Sequence, residues 1–360
     1  MSTHSVFEFI FQGTGCSSYL PHINCLTSKP VTCETCRLAV TPQGWKNKRR
    51  NTGGIIRMRG SSPGASTDRV IVIDVGKTFF DGALELFPRH DLRRIDAVLL
   101  THGHADAVNG LDDLRSWTLG DERIQDHIDV YLSEATLNDM KRSFPYLISK
   151  EFATGSGHVP KFKWHVIEND KPFRIEGIDF DITPVDVHHG YLPSSQQPTS
   201  HNNTSLSPEP YTCFGFIFGT TMVYLSDVSH IPDEAWRVIE TSGRPGPHPY
   251  DFFIIDCVRI GRLAAHFGIK ETAEAASRVN ASRTYIVGFG HEVPHDVWEV
   301  VGKKIGGQDL GQVQPFAQEI LDRLSKLGVK VVKGMQISPA YDGQCLTLVN
   351  GAFHEEGAYS

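Results

Sequence analysis

The sequence predicts a mixed α/β protein in which sheets are covered by helices. Strand-like and helix-like patterns alternate along most of the 360 residues. With 40% hydrophobic and 21% charged residues, the chain can bury a substantial core. It contains no run approaching the roughly 18 consecutive apolar residues of a membrane span. At about 150 residues per domain the length suggests roughly two domains, and one large layered domain is equally allowed.

The elements follow in order. The apolar residues from Val6 to Phe11 read as a first strand, not as the h-region of a signal peptide, because no basic n-region precedes them. Apolar, β-branched runs then recur at Val70–Asp74, Ile95–Thr101, Asp129–Leu132, Phe162–Ile167, Phe173–Val187, Cys213–Phe218, Met222–Ser226, Asp251–Cys257 and Tyr285–Val287. Ser133, followed by Glu134 and Leu137, reads as a capped helix start, and Lys270–Ala281 and Pro315–Leu327 read as amphipathic helices. Two stretches lack periodicity and read as loops or insertions. They are a Cys-rich one across 25–64, most irregular from Lys29 to Gly64, and a Ser/Pro-rich one across 193–210.

Charge and cysteine usage narrow the function classes. A net charge of −7 argues against a protein that coats nucleic acid, without excluding nucleic acid altogether. The basic cluster Lys46, Lys48, Arg49 and Arg50 reads as a solvated surface loop in preference to a device for steering anions. Seven dispersed cysteines, an odd number, suit a reducing compartment, cytoplasmic with the nucleus not excluded. The 17 histidines are the unusual entry, imidazole being both a common metal ligand and an acid–base group near neutral pH.

The strongest chemical signal is Thr101-His102-Gly103-His104-Ala105-Asp106, directly after a buried strand. In an extended or tightly turning segment residues i and i+2 point the same way, so His102 and His104 can reach one ion. Asp106 can bind the metal, its water or a ligand histidine. His188 and His189 follow the Phe173–Val187 run, Asp227 the Met222–Ser226 run and His291 the Tyr285–Val287 run. Two or three His with one Asp make a Zn²⁺ shell that leaves a position for water, whose pKa the metal lowers towards about 7. Cys25, Cys33 and Cys36 include one C-x-x-C and need a fourth ligand to close a tetrahedral site. Gly13, Gly15 and Ser17 offer backbone contacts or simply a tight turn.

The order Gly13-Thr14-Gly15, Ile73-Asp74, Thr101-His102-Gly103-His104-Ala105-Asp106, His189-Gly190, Ser226-Asp227 and Gly290-His291 resembles the metallo-β-lactamase superfamily over nearly the whole chain. Ile23-Asn24-Cys25, Cys33-x-x-Cys36 and Pro339-Ala340-Tyr341-Asp342-Gly343 are similar to its branch of phosphoribosyl cyclic phosphodiesterases from phosphonate breakdown. The resemblance implies a single four-layered αββα sandwich over residues 1–360. It implies an active-site metal, Zn²⁺ with Mn²⁺ or Fe²⁺ as alternatives, on His102, His104, His189 and Asp227. His188 is the rival of His189 and is otherwise a packing or supporting residue. The resemblance further implies a structural Zn²⁺ on Cys25, Cys33, Cys36 and His291. Otherwise His291 would serve the active site, leaving the thiolates to His295 or to no metal. His266 matches a histidine that contacts the phosphate and protonates the leaving group, although a lone histidine before a helix is often only a cap. His230 and Asp256 read equally as supporting or packing residues.

The departures fall on the second metal. The superfamily pattern His-x-His-x-Asp-His ends here in Ala107, and the branch's Thr-His-x-x-His, aligned on His291, has Gly288 for its first histidine. Only Asp106 and Asp227 are left for a second ion. One tightly held metal is therefore expected, with Asp106 freed to act as general base or proton shuttle. The leading expectation is metal-dependent hydrolysis of a small or cyclic phosphodiester, with no membrane partner and a homodimer left open. The alternatives are a mono-iron dioxygenase of a thiol-derived substrate, which two His and one carboxylate suit, and a metal-binding protein whose catalysis has decayed.

Overall fold

The computed structural model describes residues 4–60, 68–152, 158–192 and 209–356. The first sheet is built from β1 (His4–Gly13), β2 (Gly53–Gly60), β3 (Arg69–Ile73), β4 (Ala97–Leu99), β5 (Ile128–Leu132) and β6 (Phe162–Val166). The second contains β7 (Ile182–Tyr191), β8 (Pro210–Phe218), β9 (Met222–Leu225), β10 (Phe252–Asp256), β11 (Arg283–Val287) and β12 (Ile337–Pro339). The chain then returns to the first sheet with β13 (Cys345–Val349) and β14 (Ala352–Glu356), giving the order β14-β13-β1-β2-β3-β4-β5-β6. The second sheet runs β12-β11-β10-β9-β8-β7.

Each sheet is part antiparallel and part parallel. The pairs from β3 to β6 and from β9 to β12 are parallel. Parallel strands require crossovers, and the helices that supply them cover the outer faces. Phe79–Arg89 packs Phe79, Ala83 and Leu86 against Ile10, Val72 and Val98 of the first sheet. Ile269–Val279, His295–Ile305 and Pro315–Leu327 bury Ala276, Trp298 and Ile320 with Ile255 and Ile286 of the second. Between the sheets Phe9, Phe11, Ile56, Ile71 and Leu99 face Phe216, Tyr224, Ile254 and Tyr285. Each such large apolar side chain contributes on the order of 1.5–3 kcal/mol by leaving water. The result is the expected four-layered αββα arrangement, with helices outside two facing sheets. Among the described residues no helix is long and apolar enough to cross a membrane.

Several local expectations differ from the structure. The stretch 25–64 is not all loop: it holds short helices at Ile23–Leu26 and Glu34–Leu38, and then β2, which pairs with β1 and β3. The strand is hidden in sequence because Arg57 breaks its apolar pattern. Yet Arg57 is 5% exposed and paired with the equally buried Glu8 of β1, so the charges are matched inside the sheet. Phe173–Val187 is not one strand. Phe173 bridges Ile182 across a turn, with Gly177 at φ +80°, and β7 begins only at Ile182. The basic cluster is not a solvated loop either. Arg49 and Arg50 are buried, Arg49 stacked on Phe289 and Arg50 paired with Glu85. Of the 193–210 insertion, residues 193–208 lie outside the described residues.

Candidate active site and thiolate cluster

The site lies at the carboxyl ends of the parallel strands, where open α/β sheets place their ligands. β3 ends in Asp74, held at φ +60°, a left-handed conformation that Asp tolerates better than most residues. Its two carboxylate oxygens accept from the backbone N and the Oγ1 of Thr101, both at 2.8 Å, tying the end of β3 to the end of β4. Thr101 Oγ1, having given its hydrogen to Asp74, accepts from His102 Nδ1 at 2.8 Å. That fixes the tautomer: His102 keeps a lone pair on Nε2, which is buried and has no partner. Burial in the first place holds this imidazole's pKa at about 3, so it is neutral and ready to ligate.

The chain brings two further imidazoles to it. His104 stands at the N-cap position of the short helix Ala105–Val108, and His189 sits in β7 at the irregularity between the paired residues His188 and Tyr191. The ring centroids stand 4.6 Å apart for His102–His104 and 5.1 Å for both His102–His189 and His104–His189. One nitrogen of each lies within 4.8 Å of the others. His189 Nδ1 donates to the Ala265 carbonyl at 2.9 Å, which again leaves Nε2 for a ligand. Asp227, just past β9, converges with His189 and His266 rather than joining the three-histidine group as a fourth member. Burial would raise its carboxyl, but His102, His189 and His266 outweigh it and bring the pKa to about 2.

His266 and Asp256 form a second pair. Asp256, fully buried at the end of β10, accepts from His266 Nδ1 at 2.8 Å and from Val228 N at 3.1 Å. Burial opposes a charged imidazole, yet the carboxylates of Asp256, Asp227 and Asp106 prevail and raise His266 to about 9. His188 points elsewhere, its ring against His230 at 5.1 Å. Asp106 lines a small cavity with His102, Asp227, His266, Ala107 and Gly288, but belongs to none of the convergent ligand groups. This cavity, where the family pattern places a second metal, has about 10 Å³ of free space, room for one water-sized group. Gly288 stands at φ +80°, and a Cβ there would lie 2.4 Å from Asp256 Oδ1.

The cysteines form their own centre. The Sγ atoms of Cys25, Cys33 and Cys36 lie 3.3, 3.4 and 3.7 Å from His291 Nδ1. A tetrahedral Zn²⁺ with ordinary Zn–S and Zn–N lengths has an S···N edge of about 3.5–3.6 Å. The four residues therefore fit such an ion. His291 belongs with the thiols, while His295 is buried elsewhere against Glu299. Sequence reasoning missed Tyr211, which stacks on His104, and it carried no signal for it, since the residue is separated from every motif by an irregular segment.

Comparison with known proteins agrees with this architecture. Residues 69–289, more than half of the chain, match the model of the beta-lactamase superfamily domain, and the chain belongs to that superfamily. Among solved structures it is similar to a diphosphatase from the PhnP family, at 21% identity and TM-score 0.62, covering 95% of this chain and 97% of that one. It is also similar to Zn²⁺-bound PqqB from Methylobacterium extorquens, at 17% identity and TM-score 0.58, covering 94% and 99%. A curated relative is an octanoyltransferase of Porphyromonas gingivalis, 30% identical over 184 residues. The match takes in 51% of this chain and only 31% of that protein's length. Family and ligand groups together support a metal-dependent hydrolase.

Proposed function

We propose that the protein hydrolyses a small or cyclic phosphodiester with a single catalytic metal, Zn²⁺ in first place, held by His102, His104 and His189 with the Asp227 carboxylate beside them. The observation that carries this reading is the convergence of three imidazoles beside the Asp227 carboxylate, in a site without the two further histidines of a dinuclear centre. When bound, such a metal polarises the scissile group and lowers the pKa of a water. The chain's own residues do the rest. The Asp74–Thr101–His102 relay and the Ala265 carbonyl orient the ligands. Asp106, in the cavity wall and outside the ligand groups, receives a proton from the attacking water. His266, kept charged by Asp256, gives one to the departing alkoxide, a role that needs a protonated imidazole at working pH. The diester preference rests on the motifs shared with the phosphodiesterase branch, and the His266–Asp256 pair suits its alkoxide leaving group. The odd number of dispersed cysteines, seven, favours a reducing compartment, the cytoplasm or nucleus.

Elemental analysis of protein purified without chelator, followed by assay on cyclic phosphodiesters and bis-para-nitrophenyl phosphate, tests the reading. Two ions per chain are expected, one removed by His189→Ala and the other by Cys33→Ser. A second ion sensitive to His189→Ala, or no metal-dependent turnover of any diester, would sink it. Two histidines and one carboxylate also suit iron. Bound iron with oxygen consumption would favour the dioxygenase instead.

A further inference from the structure

The imidazoles of this site are not all held in the same way. His102 leans on Thr101, His189 on the Ala265 carbonyl and His266 on Asp256, each through Nδ1. His104 is exposed, and its ring makes no hydrogen bond among the described residues. Metal-ligating histidines ordinarily have their second nitrogen tied down, because an unrestrained ring loses entropy on ligation and presents its lone pair in many directions.

His104 is restrained by an aromatic face instead. The Tyr211 ring lies nearly parallel to it, with centroids 4.7 Å apart and an interplanar angle of 10°. Such stacks contribute on the order of 0.5–1.5 kcal/mol beyond their buried area. The tyrosine is anchored at its far end. Its hydroxyl oxygen accepts from Gly103 N at 3.3 Å, between the two histidines of the motif. The Asp139 carboxylate faces the same hydroxyl and, after burial itself, pushes its ionisation up. Gly103 has to be glycine for this contact, since a Cβ there would lie 2.4 Å from Asp139 Oδ2 and 2.6 Å from Asp139 Cβ. Tyr211 also presents its ring to His102 at 6.2 Å and His189 at 6.1 Å.

We propose that Tyr211 is the positioning residue of His104, orienting it by stacking where hydrogen bonds orient His102 and His189. The inference rests on the reading of that cluster as a metal site. It differs from a general packing role in predicting an effect on the metal itself. Loss of a stack of that strength corresponds to about 2–13-fold in metal affinity.

The test is competition for Zn²⁺ between the full-length protein and a chromophoric chelator, together with the absorption spectrum of Co²⁺ at the active site. The variants are Tyr211→Phe, Tyr211→Leu and Tyr211→Ala. The ion retained by the thiolate cluster reports that each variant is folded. Phe, which keeps the stack, should bind metal within about twofold of the parent, while Leu and Ala should bind about 3–13-fold more weakly with an altered Co²⁺ spectrum. Parental affinity and spectrum in the Leu and Ala variants would overturn the assignment of Tyr211. Absence of any ion sensitive to His189→Ala in the parent protein would instead overturn the metal reading beneath it.

Discussion

At the scale of single residues, the chemistry depends on protons placed by neighbours. His266 has the Asp256 carboxylate 2.8 Å from Nδ1, and carboxylates hold its pKa at about 9 against burial. If the protonated imidazole serves the leaving group, activity should persist up to roughly that pH and fall above it. Asp256→Asn removes the largest opposing charge, so the folded pKa drops and the basic limb of the kcat profile should move to lower pH. An unmoved limb in that variant would separate His266 from the proton transfer. His266→Gln should lower kcat by a factor of about 10²–10⁴, the usual contribution of a general acid, with less effect on substrates whose leaving group needs no proton. Comparing alkyl with nitrophenyl diesters checks this directly.

At the scale of elements, strand pairing and the thiolate loop carry the local stability. β1 and β2 are joined across the first sheet by Glu8 and Arg57, both less than a tenth exposed. Glu8→Ala strands the guanidinium without its carboxylate, and the expected loss is about 3–5 kcal/mol, read as a lower urea midpoint. Arg59, more exposed, also reaches Glu8 and cannot replace it as a buried counter-charge for Arg57. The cysteine cluster pins the segment before β2 to the loop after β11 through Cys25, Cys33, Cys36 and His291. Cys33→Ser should therefore lower the melting temperature and release one zinc per chain, leaving the ion at the histidine cluster in place. Loss of the other ion alone would contradict that division.

At the scale of the whole molecule, two facing sheets bring the ends of β3, β4, β7, β9 and β10 to one edge and make a single centre from residues more than 180 apart in sequence. The same framework leaves only about 10 Å³ of free space in the cavity beside Ala107 and Gly288. Ala107 is itself buried in the apolar core, and a side chain at Gly288 meets Asp256 Oδ1 in a backbone conformation that favours glycine. The double variant Ala107→His with Gly288→His should thus bind no second active-site ion and should lose stability. Elemental analysis and thermal melting check both parts, and recovery of a dinuclear site would show that Asp256 yields easily.

Much of this was legible in the chain. The alternation of strands and helices fixed the class. The spacing His102-x-His104-x-Asp106 announced a metal, because i and i+2 share a direction whatever surrounds them, and the missing imidazoles at Ala107 and Gly288 could be read from the same motifs. Tertiary structure decided what spacing cannot express. It turned His189 inward and His188 towards His230, and it gave His291 to the cysteines. It placed Arg49 and Arg50 in the interior despite their charge, and it brought Tyr211 onto His104. Local pattern sets which way a side chain points along its own strand. Which distant group it then meets depends on how two sheets pack, and no periodicity within one segment records that.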